Sequence, residues 1–220
     1  MFWRRRRQRE LAHAREEAQR WYERLGGQLA TLSGDSQAVK QALADAGERY
    51  TAAGAQLDRS ASPTQFALAR ETALEGLYYV RAARTAIGID PGPELPPSAA
   101  QRGVGQITQA RELDVQGHTY RASPDAGEAT PYYYPGGRIQ GRPVPAGWYS
   151  EPWWRNALST GLGIFGGLAL FDLLSGGFYN ASAYDQGFAQ GYDQGTDLDA
   201  GGGDSGGDFG GGDFGGFGDF

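Results

Sequence analysis

Every lysine and arginine of the chain lies at or before Arg155, and the 65 residues beyond it carry nine aspartates, no glutamate and no base. The same boundary partitions glycine, since 20 of the 36 glycines fall after it. A packed core needs side chains to bury against the entropy of ordering the backbone, so the part that can fold as a globule is expected to be smaller than the chain. The first 155 residues carry a formal charge of +3 and the remainder −9, an asymmetry concealed by the overall −6. The chain has no cysteine and only two histidines, His13 and His118. Disulfide frameworks, thiolate catalysis, iron–sulfur clusters and Cys-rich zinc sites are thereby excluded.

Three stretches of helical period come first. From Gln8 to Leu32 the residues Leu11, Ala14, Ala18, Trp21, Tyr22, Leu25, Leu29 and Leu32 recur every three or four positions, opposite a charged face. Gly26-Gly27 weakens the middle of this helix and is a candidate kink. After Gly34-Asp35-Ser36, a second stripe of Val39, Leu43, Ala46, Tyr50, Ala53 and Leu57 runs to about Arg59. The third helix opens on Ser62-Pro63-Thr64-Gln65, which supplies an N-cap hydroxyl, proline at the first helical position and glutamine in the reciprocal capping place. Its stripe is Phe66, Ala69, Ala73, Leu74, Leu77 and Val80, and Gly88 with Pro91 closes it. Short connections favour antiparallel neighbours, so residues 8–88 are expected to form a small up-down-up three-helix unit. The proline-rich stretch Asp90 to Pro97, within residues 89–110, reads as a semi-rigid spacer.

Between residues 111 and 155 the period changes. Leu113 and Val115, the turn-like Gln116-Gly117, then Thr119, Tyr120 and Ala122 read as a hairpin. Tyr132-Tyr133-Tyr134-Pro135-Gly136-Gly137 and Arg142 to Tyr149 add aromatic and proline punctuation, compatible with four short strands or with an aromatic linker.

The one sustained apolar stretch runs from Ala157 to Leu174 and contains Asp172. Its 18 residues span about 27 Å as a helix, and continuation to Tyr179 gives about 35 Å, enough for a bilayer core. Asp172 costs up to about 3 kcal/mol at mid-bilayer, whereas the nine Leu, Ile and Phe residues return roughly 3–5 kcal/mol. Residues 156–179 are therefore expected to be a transmembrane helix, with a buried core helix or an interfacial helix as the alternatives. Trp148, Tyr149, Trp153 and Trp154 precede it, with Arg155, as an aromatic belt and basic anchor. Complete basic asymmetry places residues 1–155 in the cytoplasm and the C-terminus outside the cell membrane. Gly163 and Gly167 form a G-x-x-x-G face that permits helix–helix packing into a homo-oligomer, the alternative being that these glycines only follow the composition of the chain.

At the N-terminus (residues 1–9), Phe2, Trp3, Arg4, Arg5, Arg6 and Arg7 have no apolar stretch behind them and so do not form a cleavable signal peptide. This cluster suits lipid phosphate, with a solvated, frayed helix start as the equal alternative and nucleic-acid phosphate as the weaker one. Residues 180–220 repeat Tyr-Asp-Gln-Gly and Gly-Gly-Asp-Phe units and are expected to be disordered, with weak self-association through the spaced aromatics.

The Arg-rich start, the stretch Ala69 to Arg84, Thr130 to Gly137, Pro145 to Trp154 and the Gly-Asp-Phe tail together resemble an uncharacterised single-span membrane protein family of high-GC Gram-positive bacteria with a DUF1542-type helical domain. The resemblance implies organisation and no activity. Neither histidine has a second ligand at metal spacing, and Glu71 and Glu75, one helical turn apart beside Arg70, read as a charge cluster. No catalytic residue, cofactor or metal is expected. The resulting expectation is a mainly α, single-span membrane protein whose cytoplasmic domain binds a protein partner. The alternative is a peripheral or soluble nucleic-acid-binding protein using the arginine cluster.

Overall fold

The computed structural model describes residues 2–115, 118–139 and 141–155. The chain is mainly helical, with three N-terminal helices followed by a small sheet region. Helix α1 spans Phe2–Leu29, α2 Gln37–Arg59 and α3 Pro63–Ile87. The first begins six residues earlier than the expected start at Gln8, because arginine is a good helix former and nothing between Phe2 and Gln8 interrupts the backbone. Ser36 caps α2 by accepting from the Val39 amide, and Ser62 caps α3 by accepting from the Gln65 amide. The expected capping box is displaced by one residue, since Gln65 Oε1 accepts from the amide of Ala61 at 2.7 Å rather than from the N-cap itself. Gly88, left-handed at φ 84°, ends α3 and returns its amide to Arg84 and Thr85.

Helices α1 and α2 are antiparallel: Gly26 meets Tyr50, and Gly54 meets Tyr22. Helix α3 runs alongside α1, with Arg70 beside Glu17 and Gly76 beside Leu25. Leu25, Ala46, Ala53, Ala73, Leu74, Leu77, Tyr79 and Val80 fill the space between them. The alanines let the backbones approach closely. Glycine does the same at Gly26, where the Tyr50 ring lies 2.8 Å from where a Cβ would stand, so this residue is a packing site in a continuous helix instead of a kink. The Tyr22 and Tyr50 rings stack there at 4.4 Å and 2°.

Strands β1 (Arg111–Val115), β2 (His118–Ser123), β3 (Tyr132–Tyr134) and β6 (Gly147–Tyr149) form an antiparallel sheet in the order β1-β2-β6-β3, and β4 (Gly137–Ile139) pairs with β5 (Arg142–Val144) as a separate hairpin. Of the two readings open for residues 111–155, the folded sheet is the one found. Alternation along β3 and β6 sends Tyr133 and Trp148, paired across the strands, toward Ala38, Val39, Ala42, Ala82 and Ala83 of α2 and α3. Their neighbours Tyr132, Tyr134 and Tyr149 join Ile107, Ala122, Ile139, Val144 and Trp154 in a second cluster. Gly147 is required where Ile107 crosses, 2.7 Å from where a Cβ would be.

The proline-rich stretch is not a spacer. It runs back along α3 as a strap whose carbonyls, which prolines leave without a regular ladder, are taken by side-chain donors of one helix face. The Tyr78 hydroxyl donates to the carbonyl of Pro96 at 3.2 Å, Arg81 to that of Gly92 at 2.7 Å and Arg84 to that of Asp90 at 2.6 Å. Farther on, the Ala99 amide donates to Glu71 at 2.9 Å, and the Gln101 amide nitrogen donates to the Pro135 carbonyl at 2.6 Å.

Candidate functional site

The residues expected to anchor the chain at a membrane converge at the end of the sheet region. Trp153, Trp154 and Arg155 start a helical turn right after β6. Trp154 is buried, its ring 5.0 Å from Tyr134 and 5.4 Å from Tyr149, and Trp153 stands edge-on to both Tyr149 and Trp154. Trp148 and Tyr149 are also buried. Three of these four rings are therefore shielded by the protein itself, and Trp153 is half-buried. Trp148, Tyr149 and Trp154 are core residues, because the strand pairing that the aromatic stretch permits gives them a dry place within the protein. Burial raises the phenol of Tyr149 far above its ordinary value and pushes those of Tyr133 and Tyr134 up to about 12. The Tyr149 hydroxyl is satisfied by donating to the Pro145 carbonyl at 2.6 Å.

Arg155 closes the site by pairing with Asp45 of α2, a carboxylate whose side chain is only 7% exposed. Asp45 lies one helical turn after Ala42 and next to Ala46, among the buried alanines of α2, and its pairing with a guanidinium 110 residues away could not be read from the local pattern. Among the described residues this pair ties the last turn to α2, while the Trp154 ring ties it to the sheet cluster. Gly163 and Gly167, with the expected transmembrane helix and tail, lie outside the described residues. No described helix is long and apolar enough to cross a membrane.

The arginine cluster lies on the first turns of α1. Arg5, Arg7 and Arg9 are exposed, Arg6 pairs with Glu10 at 3.0 Å, and Trp3 is 81% exposed. The side chains of Phe2 and Arg4 lie outside the described residues. The other exposed large apolar residues among those described, Leu68, Ile87 and Ile89, lie on α3 and just past its end.

The titratable residues weighed as chemistry take separate partners. Glu71 pairs with Arg70 at 2.7 Å, and Arg70 in turn reaches Glu17 at 2.8 Å. Glu75 pairs with Arg49 at 3.1 Å, and its carboxyl is raised by burial, which that guanidinium partly opposes. His118 meets Glu151 at 2.5 Å on the surface, and His13 is exposed. Among the described residues no group of three His, Cys, Asp or Glu side chains is placed to hold a metal. Comparison of the chain with protein-family models, with curated proteins and with solved structures finds no match.

Proposed function

We propose that the chain is a single-span protein of the cell membrane that holds a helical protein-interaction domain at the cytoplasmic face, with its acidic tail outside and no catalytic chemistry of its own. The observation that carries this reading is the join between domain and apolar stretch. Trp154 is buried and Arg155 is paired with Asp45, and the apolar stretch opens at Ala157, two residues later. A span beginning there has no slack. The folded domain would sit directly on the bilayer, where a docking surface is presented to partners already confined to the membrane. The orientation is supported by the restriction of every basic residue to the N-terminal side. Packing at Gly163 and Gly167 would add a second copy of the chain as a partner. The resemblance to the DUF1542-type family agrees with this organisation and supplies no activity.

The lack of native cysteine makes the test clean. Single-cysteine variants Ser33→Cys and Ser205→Cys of the full chain are exposed to a membrane-impermeant maleimide on intact cells. The second is expected to label and the first only after lysis, and alkaline carbonate is expected to leave the chain in the membrane pellet. Equal labelling of the two positions, or complete release by carbonate, would sink the reading.

A further inference from the structure

Helix α1 is longer than the bundle it belongs to. Its contacts with α2 pair Gly26 with Tyr50 and Tyr22 with Gly54, and its contacts with α3 pair Glu17 with Arg70 and Leu25 with Gly76. Extending these registers, the α2 C-terminus is level with about residue 17 of α1 and the start of α3 with about residue 11. Residues 2 to about 10 thus project past both neighbours for roughly 13 Å.

The exposed residues of this projection form a cationic surface. Among the described residues Arg5, Arg7 and Arg9 have no ionic partner, Arg6 is tied to Glu10, and Trp3 is the most exposed large apolar side chain. The helix has no acidic residue in its first turn. Cations at a helix N-terminus oppose the helix dipole and repel one another, so the projection is locally unfavourable until negative charge is brought to it. An indole at the tip adds the amphipathic ring that enters a headgroup layer.

We infer that the projecting turns of α1 are a second, peripheral membrane contact, taken up by anionic lipid headgroups. Position along the bundle gives this a geometric consequence, which rests on the span proposed above. Asp45, where Arg155 is held, is level with a point just past the C-terminal end of α1 by the same register, about 39 Å along the axis from Arg5. One flat bilayer reaches both points only when the bundle lies along its surface. An upright bundle would hold the arginines far beyond the Debye length from the membrane. Nucleic acid shares the phosphate chemistry, but flexible phosphates in solution would leave the exposed indole without an apolar layer.

The test uses the full chain carrying Gln8→Cys as its only cysteine, labelled with an environment-sensitive fluorophore and reconstituted into vesicles of neutral phosphatidylcholine or of phosphatidylcholine with phosphatidylserine. Quenching by headgroup-level nitroxide lipid is expected in the anionic vesicles, at least about tenfold weaker in the neutral ones, and abolished by Arg5→Glu/Arg7→Glu/Arg9→Glu with helicity by circular dichroism retained. Equal quenching in both vesicle types, no quenching in either, or displacement of the label from anionic vesicles by duplex DNA at matched phosphate overturns the inference. The two readings fail separately. A chain that inserts and resists carbonate while position 8 stays unquenched disproves the contact alone. A chain that carbonate strips while position 8 is quenched disproves the span and keeps the contact.

Discussion

Glycines that look alike in the sequence have opposite jobs in the folded chain. A Cβ at Gly27 meets nothing within 4 Å, whereas one at Gly76 would stand 2.5 Å from Leu25 Cδ2 and 3.1 Å from Arg49 Cβ. Gly27→Ala is therefore expected to raise stability by roughly 0.5–1 kcal/mol, and Gly76→Ala to lower it by about 1–3 kcal/mol. Chemical denaturation of the two variants checks the pair, and equal effects would contradict the packing described. Helical periodicity cannot show this, because it reports which face is apolar and says nothing of how near the next backbone comes. Asp45 is a similar case. Arg155→Ala leaves its buried carboxylate unpaired and is expected to cost roughly 1–3 kcal/mol, discounted because the guanidinium is itself partly exposed, while Asp45→Asn removes the charge and should cost less. If the asparagine variant melts lower than the alanine variant, the buried charge is not what the pair neutralises.

At the scale of elements, the three helices and the ends of α2 and α3 were legible from local signals, a stripe of period 3.6, a serine cap, a proline at the start or a glycine at the stop, whereas α1, with no such cap, begins and ends earlier than its stripe suggested. The hairpin of β1 and β2 was legible from alternation. The strap was not. Proline content announces only that residues 90–97 cannot continue a helix, and the donors that hold them, Tyr78, Arg81 and Arg84, sit within what reads as an ordinary polar helix face. Arg81→Ala removes a donor to the Gly92 carbonyl and is expected to increase the rate of limited proteolysis between residues 89 and 105 several-fold, with helicity by circular dichroism unchanged. Unaltered cleavage would mean that the prolines alone hold the strap. The aromatic strands lay between the readable and the unreadable. Their residue types suited strands, but whether their rings faced lipid or protein depended on pairings such as Tyr133 with Trp148, which no local pattern specifies.

At the scale of the molecule, the helical unit and the sheet region are interdependent, since Trp148 and Tyr133 cover the alanine-lined face of α2 and α3. Trp148→Ala is expected to cost about 3–5 kcal/mol and to lower the helix transition along with that of the sheet. Circular dichroism and tryptophan fluorescence of the wild-type chain should give one coincident unfolding curve, and two separated midpoints would show independent units. The buried phenols set the alkaline limit. Tyr133 and Tyr134 ionise near 12 when folded, against about 10 in the unfolded chain. The folded pKa is the higher one, so this stabilisation is complete below pH 10 and is lost as pH rises from 10 toward 12, because the unfolded chain releases its protons first. Absorbance at the phenolate band should rise in step with loss of helicity over that range. The sharing of Trp148 also has a consequence for biosynthesis. A nascent chain emerges N-terminus first, so all three helices leave the ribosome long before the ring that closes over them, and they wait with a bare alanine groove until the last strand arrives. Maturation of the domain is thereby timed to the moment when the apolar stretch is next in line.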